Sequence, residues 1–172
     1  IYGVPQNAAM ILRIDPVTDS TSTFGNLGSG NGWQGGVLAP SGIIYCIPWN
    51  GAAVLRIDPT TESVSTFDSV GSSTGMWSGG VLAPSGIIYG IPHGMAAILR
   101  IDPTTDLAST FGDLSSTKNK WWGGVLAMSG MIYGIPDSSA AVLRIGVQSC
   151  FAPAPACPYG RSFKDPGAGA YD

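Results

Sequence analysis

The segment GGVLAPSGIIYGIP at residues 79–92 has near copies at 35–48 (GGVLAPSGIIYCIP) and 123–136 (GGVLAMSGMIYGIP). A chain that repeats one passage at a fixed interval builds one structural unit several times, and the interval sets the size of that unit. LRID begins at Leu12, Leu55 and Leu99, with LRIG at Leu143, and IYG or IYC begins at Ile1, Ile44, Ile88 and Ile132. The period is therefore 43 residues and then 44 twice. The odd residue falls between Phe24 and Trp33, a step one shorter than Phe67 to Trp77 or Phe111 to Trp121, which marks that segment as a loop.

Within one period the apolar runs are short. WSGGVLA (77–83) ends at the turn PSG, IIYGIP (87–92) follows, then AAILRID (96–102), and PTTD turns the chain into LASTF (107–111). Each run is rich in Val, Ile, Tyr, Thr or Leu and bounded by Pro, Gly, Ser and Asp, which is the pattern of strands. None is long enough for a convincing helix. Four strands, a to d, in about 44 residues make one blade of a β-propeller, where each sheet buries its faces against its neighbours. The fold expected is all-β, a β-propeller of four-stranded antiparallel blades. Its repeats lie near 1–32, 33–76, 77–120 and 121–146, and a Pro- and Gly-rich tail covers 147–172. The pairs Gly35-Gly36, Gly79-Gly80 and Gly123-Gly124 would let the innermost strands approach closely around the axis, since glycine has no Cβ.

The strand tally is b-c-d, then a-b-c-d twice, then a-b-c, so the front lacks an a strand and the back lacks a d strand. The tail looks too rich in Pro and Gly to supply both. Either it contributes one irregular strand to a small four-bladed ring, or the chain holds roughly 3.5–4 blades of a larger ring. The second is the expectation. The chain opens at Ile1 with neither an initiator Met nor a signal-peptide pattern, as expected of a processed product or a piece of something longer.

Only 11% of the residues are charged and the net charge is −3, with no basic run, which argues against a nucleic-acid partner. No apolar stretch approaches the ~20 residues that span a bilayer. Cys46 replaces a repeat glycine and reads as a small buried residue. Cys150 and Cys157, seven residues apart in SCFAPAPACPYG, could close a small disulfide loop, a slight lean towards a secreted or lumenal setting in an otherwise open compartment.

These residues resemble a repeat family common in microalgal and other marine microbial sequences, built on IYGIP…VLRIDP…VSTFG…W-x-GGVLAP, over about residues 1–146. The b–c–d core is also similar, at a distance, to propellers of the streptogramin-lyase and NHL type. That second resemblance would imply a His, an acidic residue and Mg²⁺ in loops on one face. The chain's single His, His93, lies in a b–c loop with no acidic partner repeating beside it, so the catalytic set does not carry over.

The repeats can be compared with one another. Strands, a–b turns and c–d turns barely change, whereas the b–c loops (PQNAAM, PWNGAA, PHGMAA, PDSSAA) and the d–a loops (GNLGSGNG, DSVGSSTGM, GDLSSTKNK) diverge. In an up-and-down blade those two loop sets emerge on one side of the disc, where a ring presents different side chains around a common funnel. Gln6, Trp49, His93 and Asp137 share one slot of successive b–c loops, and Lys118 and Lys120 lie in the last d–a loop beside Trp122. These seven are the candidate ligand contacts. Trp33, Trp77 and Trp121 open strand a and read as wedges between blades, with a sugar-stacking platform as the rival role. Arg13/Asp15, Arg56/Asp58 and Arg100/Asp102 place both side chains on one face of strand c, and with Arg144 read as a structural ladder between blades.

No nucleophile elbow, CxxC, HExxH, phosphate loop or calcium loop is written in the chain, and no cofactor or metal is expected from it. Three functions follow in order: a non-catalytic module that binds or scaffolds a protein partner or larger assembly through the variable face, a carbohydrate-binding propeller using its Trp residues, and a lyase-like enzyme centred on His93.

Overall fold

Each repeat folds into an antiparallel meander because its turns are specified locally. In the a–b turn of the third repeat the Gly86 N–H donates to the Ala83 carbonyl (2.9 Å), and Gly86 takes φ +85°, a conformation that L side chains rarely adopt. In the c–d turns the aspartate before proline caps the bend. Asp15, Asp58 and Asp102 accept the N–H of Val17, Thr60 and Thr104 at 2.9, 2.9 and 3.1 Å. The Thr60 N–H is the chief reason that the Asp58 carboxyl lies below its ordinary 3.8.

The computed structural model describes residues 1–28, 32–146 and 169–171. They form four sheets, and no helix occurs among them. The first is β1 (Tyr2–Gly3), β2 (Ile11–Asp15) and β3 (Ser20–Phe24). The second is β4 (Trp33–Leu38), β5 (Ile44–Pro48), β6 (Ala53–Asp58) and β7 (Ser63–Ser69). The third is β8 (Trp77–Leu82), β9 (Ile88–Pro92), β10 (Ile98–Asp102) and β11 (Leu107–Phe111). The fourth is β12 (Trp121–Leu126), β13 (Ile132–Pro136), β14 (Val142–Ile145) and β15 (Gly169–Tyr171). All pairings follow chain order, and all are antiparallel. These are blades of a β-propeller, arranged without closing into a ring.

The tail does contribute to the last blade: Leu143 pairs with Ala170, so β15 is the d strand that the sequence tally lacked. The first blade has three strands among the described residues. Cys150 and Cys157 lie outside those residues.

The innermost strands β4, β8 and β12 lie side by side, and glycine sets their spacing. Gly35, Gly79 and Gly123 take φ of +79°, +71° and +70°, and the register against the b strand slips between Trp33 and Gly36, Trp77 and Gly80, and Trp121 and Gly124. Each pair is thus a β-bulge with a left-handed glycine. A Cβ on Gly35 would stand 2.9 Å from the Gly79 Cα, and one on Gly80 would stand 2.7 Å from Ile47 Cδ1. The first glycine brings inner strands together, and the second makes room for a side chain of the preceding blade.

Between blades lie three apolar layers. The one joining blades two and three holds Val37, Tyr45, Ile47 and Val54 on one side and Trp77, Ile88, Leu99 and Ile101 on the other. Blades one and two, and three and four, meet through equivalent residues. Fully burying a residue of this size contributes about 1.5–3 kcal/mol, so these layers dominate the stability of the stack.

A polar ladder runs outside the apolar layers, with a different pairing from the Arg-x-Asp motif. Arg13 meets Glu62 (3.3 Å) and Arg56 meets Asp106 (3.5 Å), in each case the acid that ends the c–d turn of the following blade. Among the described residues only Arg100 pairs with its own i+2 aspartate, Asp102, at 3.4 Å. The Tyr45 hydroxyl also donates to Asp106 (2.5 Å), and burial, with that carboxylate beside it, pushes the phenol up to about 12. The two pairs that join blade to blade use acids four positions further along the sequence than the aspartates of strand c.

Two outcomes follow. Gly35→Ala combines a strained φ with a backbone clash and should cost about 2 kcal/mol or more in urea denaturation, whereas Gly42→Ala, at φ +86° with nothing within 4 Å of its Cβ, should cost about 1 kcal/mol. Tyr45 is preferred neutral in the native state, so its contribution is complete below pH 10.0 and is lost as pH rises through about 12. Tyr45→Phe should therefore be less stable at neutral pH by about 1 kcal/mol and show a flatter stability profile between those values.

Candidate functional site

The b–c and d–a loops meet on one rim, stitched by the backbone. Trp33 N–H donates to the Pro5 carbonyl (3.1 Å), Trp49 to Gly32 (3.0 Å), Met76 to Trp49 (2.9 Å), His93 to Met76 (3.0 Å), Lys120 to His93 (3.1 Å) and Asp137 to Lys120 (2.9 Å). From Gly32 onward the relay alternates between the residue after the b-strand proline and the residue before an a strand. It crosses all three blade junctions. Side chains in the b–c slot are thereby held by main-chain bonds that do not depend on their identity, which lets the slot vary.

Two of those slot residues converge with Trp122 of β12. The Trp49 and His93 rings lie 4.6 Å apart, Trp49 and Trp122 5.4 Å, and His93 and Trp122 5.4 Å. Trp122 comes from the second position of β12, where β4 has Gln34 and β8 has Ser78, so it reaches the same point from the inner strand of the fourth blade. His93 is almost wholly buried, Trp49 is half-buried, and Trp122 is 50% exposed. The cluster thus has an open indole above a covered imidazole.

His93 has one nitrogen committed. Its Nδ1 lies 3.2 Å from the Gly75 carbonyl, which can only accept, so Nδ1–H is the donor in this contact. Nε2 in turn lies 3.9 Å from Asp137 Oδ2. Comparison of loop sequences gave His93 no acidic neighbour; the fold supplies one from the equivalent slot of the next blade. The separation is too long for a hydrogen bond but short enough for charge attraction once the ring is protonated. Gly75, at φ +66°, belongs to the site as well: a Cβ there would stand 3.3 Å from His93 Nδ1, and its N–H donates to Asn50 Oδ1 at 3.0 Å. Neither Gly75 nor Asn50 stood out in the sequence. The available signal was that Asn50 directly follows the variable Trp49 slot.

The remaining candidates separate. Gln6 is exposed and its amide reaches Gln34 Oε1 at 3.5 Å, away from the aromatic cluster in the first two blades. Lys118 is exposed and lines a cavity of about 280 Å³ with Ser115, Thr117, Ser138 and Ser139. Lys120 is a correction. It is 3% exposed, and its ammonium donates to the carbonyls of Thr117 (2.7 Å), Met95 (3.0 Å) and His93 (3.3 Å). It occupies the position of Met76 in the preceding blade, and burial lowers its pKa. Its divergence reflects a packing solution, with an alkyl stem in the core and the charge tied to three carbonyls, and leaves no donor for a ligand.

Trp33, Trp77 and Trp121 are buried between blades, and their indole N–H groups donate to the carbonyls of Ala53 (2.8 Å), Ala97 (2.9 Å) and Ala141 (2.7 Å). Their rings offer no open face to a sugar. Cys46 is buried beneath the rim, and burial pushes its thiol up to about 12, which leaves it unreactive at neutral pH. Among the described residues no three His, Cys, Asp or Glu side chains gather in a way that could hold a metal ion, and no helix is long and apolar enough to cross a membrane.

A family model described as a repeat of unknown function (DUF6923) matches residues 1–167. No curated protein matches the chain. Among solved structures, a streptogramin B lyase is 14% identical at a TM-score of 0.68, covering 80% of this chain and 45% of that one. A virginiamycin B lyase from Staphylococcus aureus is 16% identical at 0.68, covering 84% and 50%. An auxiliary nutrient binding protein from Bacteroides ovatus is 15% identical at 0.62, covering 84% and 34%. At these identities the likeness concerns the fold alone. The chain spans about half the length of the lyases it matches.

Lys120→Met should leave stability within about 1.5 kcal/mol of the parent, because it reproduces the side chain found at Met76 in nearly the same volume. Lys120→Ala, which empties the same space, should lower the denaturation midpoint clearly further.

Proposed function

The chain belongs to this repeat family of unknown function, and we propose that it is a non-catalytic binding module that engages a partner protein or larger assembly through the b–c and d–a rim. The observation carrying this reading is the convergence of Trp49, His93 and Trp122 from three blades into one cluster whose outermost member, Trp122, exposes half of its surface. Elsewhere the repeats bury their large aromatics in conserved wedges. A rigid, half-exposed indole on a backbone-stitched platform is the kind of anchor that dominates binding energy at interfaces.

The same exposed indole supports a second reading, recognition of a carbohydrate by stacking of a sugar ring on Trp122, with the exposed Asp137, beside His93, as a hydrogen-bonding group on the same rim. A lyase-like role for His93 has less support. A general base must come within hydrogen-bond reach of its substrate, and His93 is covered by two indoles with Nδ1 already bound.

Trp122→Ala and Trp49→Ala should each weaken capture of the partner at least about tenfold, as expected for loss of an interface anchor, while leaving the denaturation midpoint nearly unchanged for Trp122. Binding of the parent chain to a glycan array, lost in the same variants and with no protein partner recovered, would replace the first reading by the second. Turnover of a streptogramin B that His93→Ala abolishes would overturn both.

A further inference from the structure

The space beneath the d–a loop is treated differently at successive blade junctions. Between blades two and three it is plugged by two methionines: Met76 Sδ and Met95 Cε lie 2.9 and 3.8 Å from where a Cβ on Gly71 would stand. One repeat further on, Gly71 becomes Ser115, Met76 becomes Lys120 and Met95 becomes Ser139. Half of the plug is thereby lost. Lys120 still enters the interior, but the short Ser139 turns back on its own chain, bonding the Ala141 N–H and carbonyl (both 3.1 Å). The result is the cavity of about 280 Å³ between blades three and four, with Leu114 and Trp121 among its walls.

The chemistry of the lining changes with its shape. It carries two ammonium groups and four hydroxyls, and no carboxylate. Lys120 is fixed by three carbonyls and contributes charge alone. Lys118 is exposed, and among the described residues its ammonium has no hydrogen-bond or ion-pair partner. Asp137, the acid next to Ser138 in the chain, lies against His93 Nε2 instead (3.9 Å). The Ser138 hydroxyl is likewise unpartnered among the described residues, and Ser115 and Thr117 share one bond at 3.1 Å, which leaves one of their two protons free. Three donors, one of them charged, are thus available on residues that line the cavity. The gap at the junction of blades one and two, walled by Asn26, Ala52 and Ala53 among others, holds no charged side chain, so the charge belongs to this junction and not to the repeat.

We propose that this cavity binds a small molecule carrying one oxyanion group, phosphate or carboxylate, on a hydroxylated ring of monosaccharide size. The anion pairs with the Lys118 ammonium and the free hydroxyl protons, and the field of the buried Lys120 adds attraction without supplying a bond. The volume of about 280 Å³ falls just short of the ~300–1,000 Å³ typical of sites for drug-sized molecules, which suits a single ring rather than a chain. The site shares no side chain with the Trp49–His93–Trp122 cluster, so failure of either reading leaves the other intact.

Titration of the full 172-residue chain with glucose 6-phosphate, glucuronate and glucose, followed by amide NMR, tests the assignment. Glucose 6-phosphate or glucuronate should shift the Lys118 and Ser138 resonances saturably, and less at high salt, with the tighter of the two identifying the anion. Lys118→Ala, at an exposed position, should weaken that binding at least about tenfold without moving the denaturation midpoint, and Lys118→Arg should restore most of it. Ser139→Met, which rebuilds the plug of the preceding junction, should abolish binding. Absence of saturable shifts with both anions at millimolar concentrations would overturn the proposal. So would an equal response to neutral glucose, or unchanged affinity in Lys118→Ala.

Discussion

Backbone-to-backbone packing at Gly35, Gly79 and Gly123 is the constraint on which the architecture depends. Sheets that met only through side chains would sit about 10 Å apart and could stack in a straight line. Here the inner strands approach until a single Cβ would touch the neighbouring main chain, while further out the layer is filled by bulky side chains such as Tyr45 and Phe67 of one blade, packed against the next. Narrow inside and wide outside, each layer becomes a wedge, and wedges in series turn about an axis. The left-handed glycine and the bulge behind it recur in every a strand because every layer needs the same taper.

Given that taper, the rim can vary independently. The b–c slot is positioned by main-chain bonds to the residues ahead of the a strands, so Trp49, His93 and Asp137 are interchangeable as far as the scaffold is concerned. Their side chains project where the turn about the axis brings successive blades together. Trp49 of blade two thereby meets Trp122 of blade four across His93 of blade three. The aromatic cluster is a product of curvature, not of local sequence.

That division explains what the sequence made legible. Strands, turns and the glycine bulges are local features, encoded by alternation, Pro, Gly and Asp within one repeat, and comparison of the repeats exposed the variable rim. What escaped reading depends on how one blade meets the next. The acid paired with Arg56 is Asp106, fifty residues away, rather than Asp58 two residues away, because strand side chains that share a face point towards the adjacent blade. Lys120 resembled a ligand contact because it differs from Met76 and carries charge, yet burial depends on position, and that position is interior in both blades. The d strand of the last blade came from Gly169–Tyr171, a short segment without the β-branched run that marks the others.

The most direct measurement is nuclear Overhauser spectroscopy on the α protons of the inner-strand glycines. Contacts between Gly35 and Gly79 and between Gly79 and Gly123, with contact between successive d strands confined to the point where Asp68 accepts the Ala108 N–H, are what wedge-shaped layers around an axis produce. Missing glycine contacts, or equally close approach of inner and outer strands, would describe a straight stack and contradict the account.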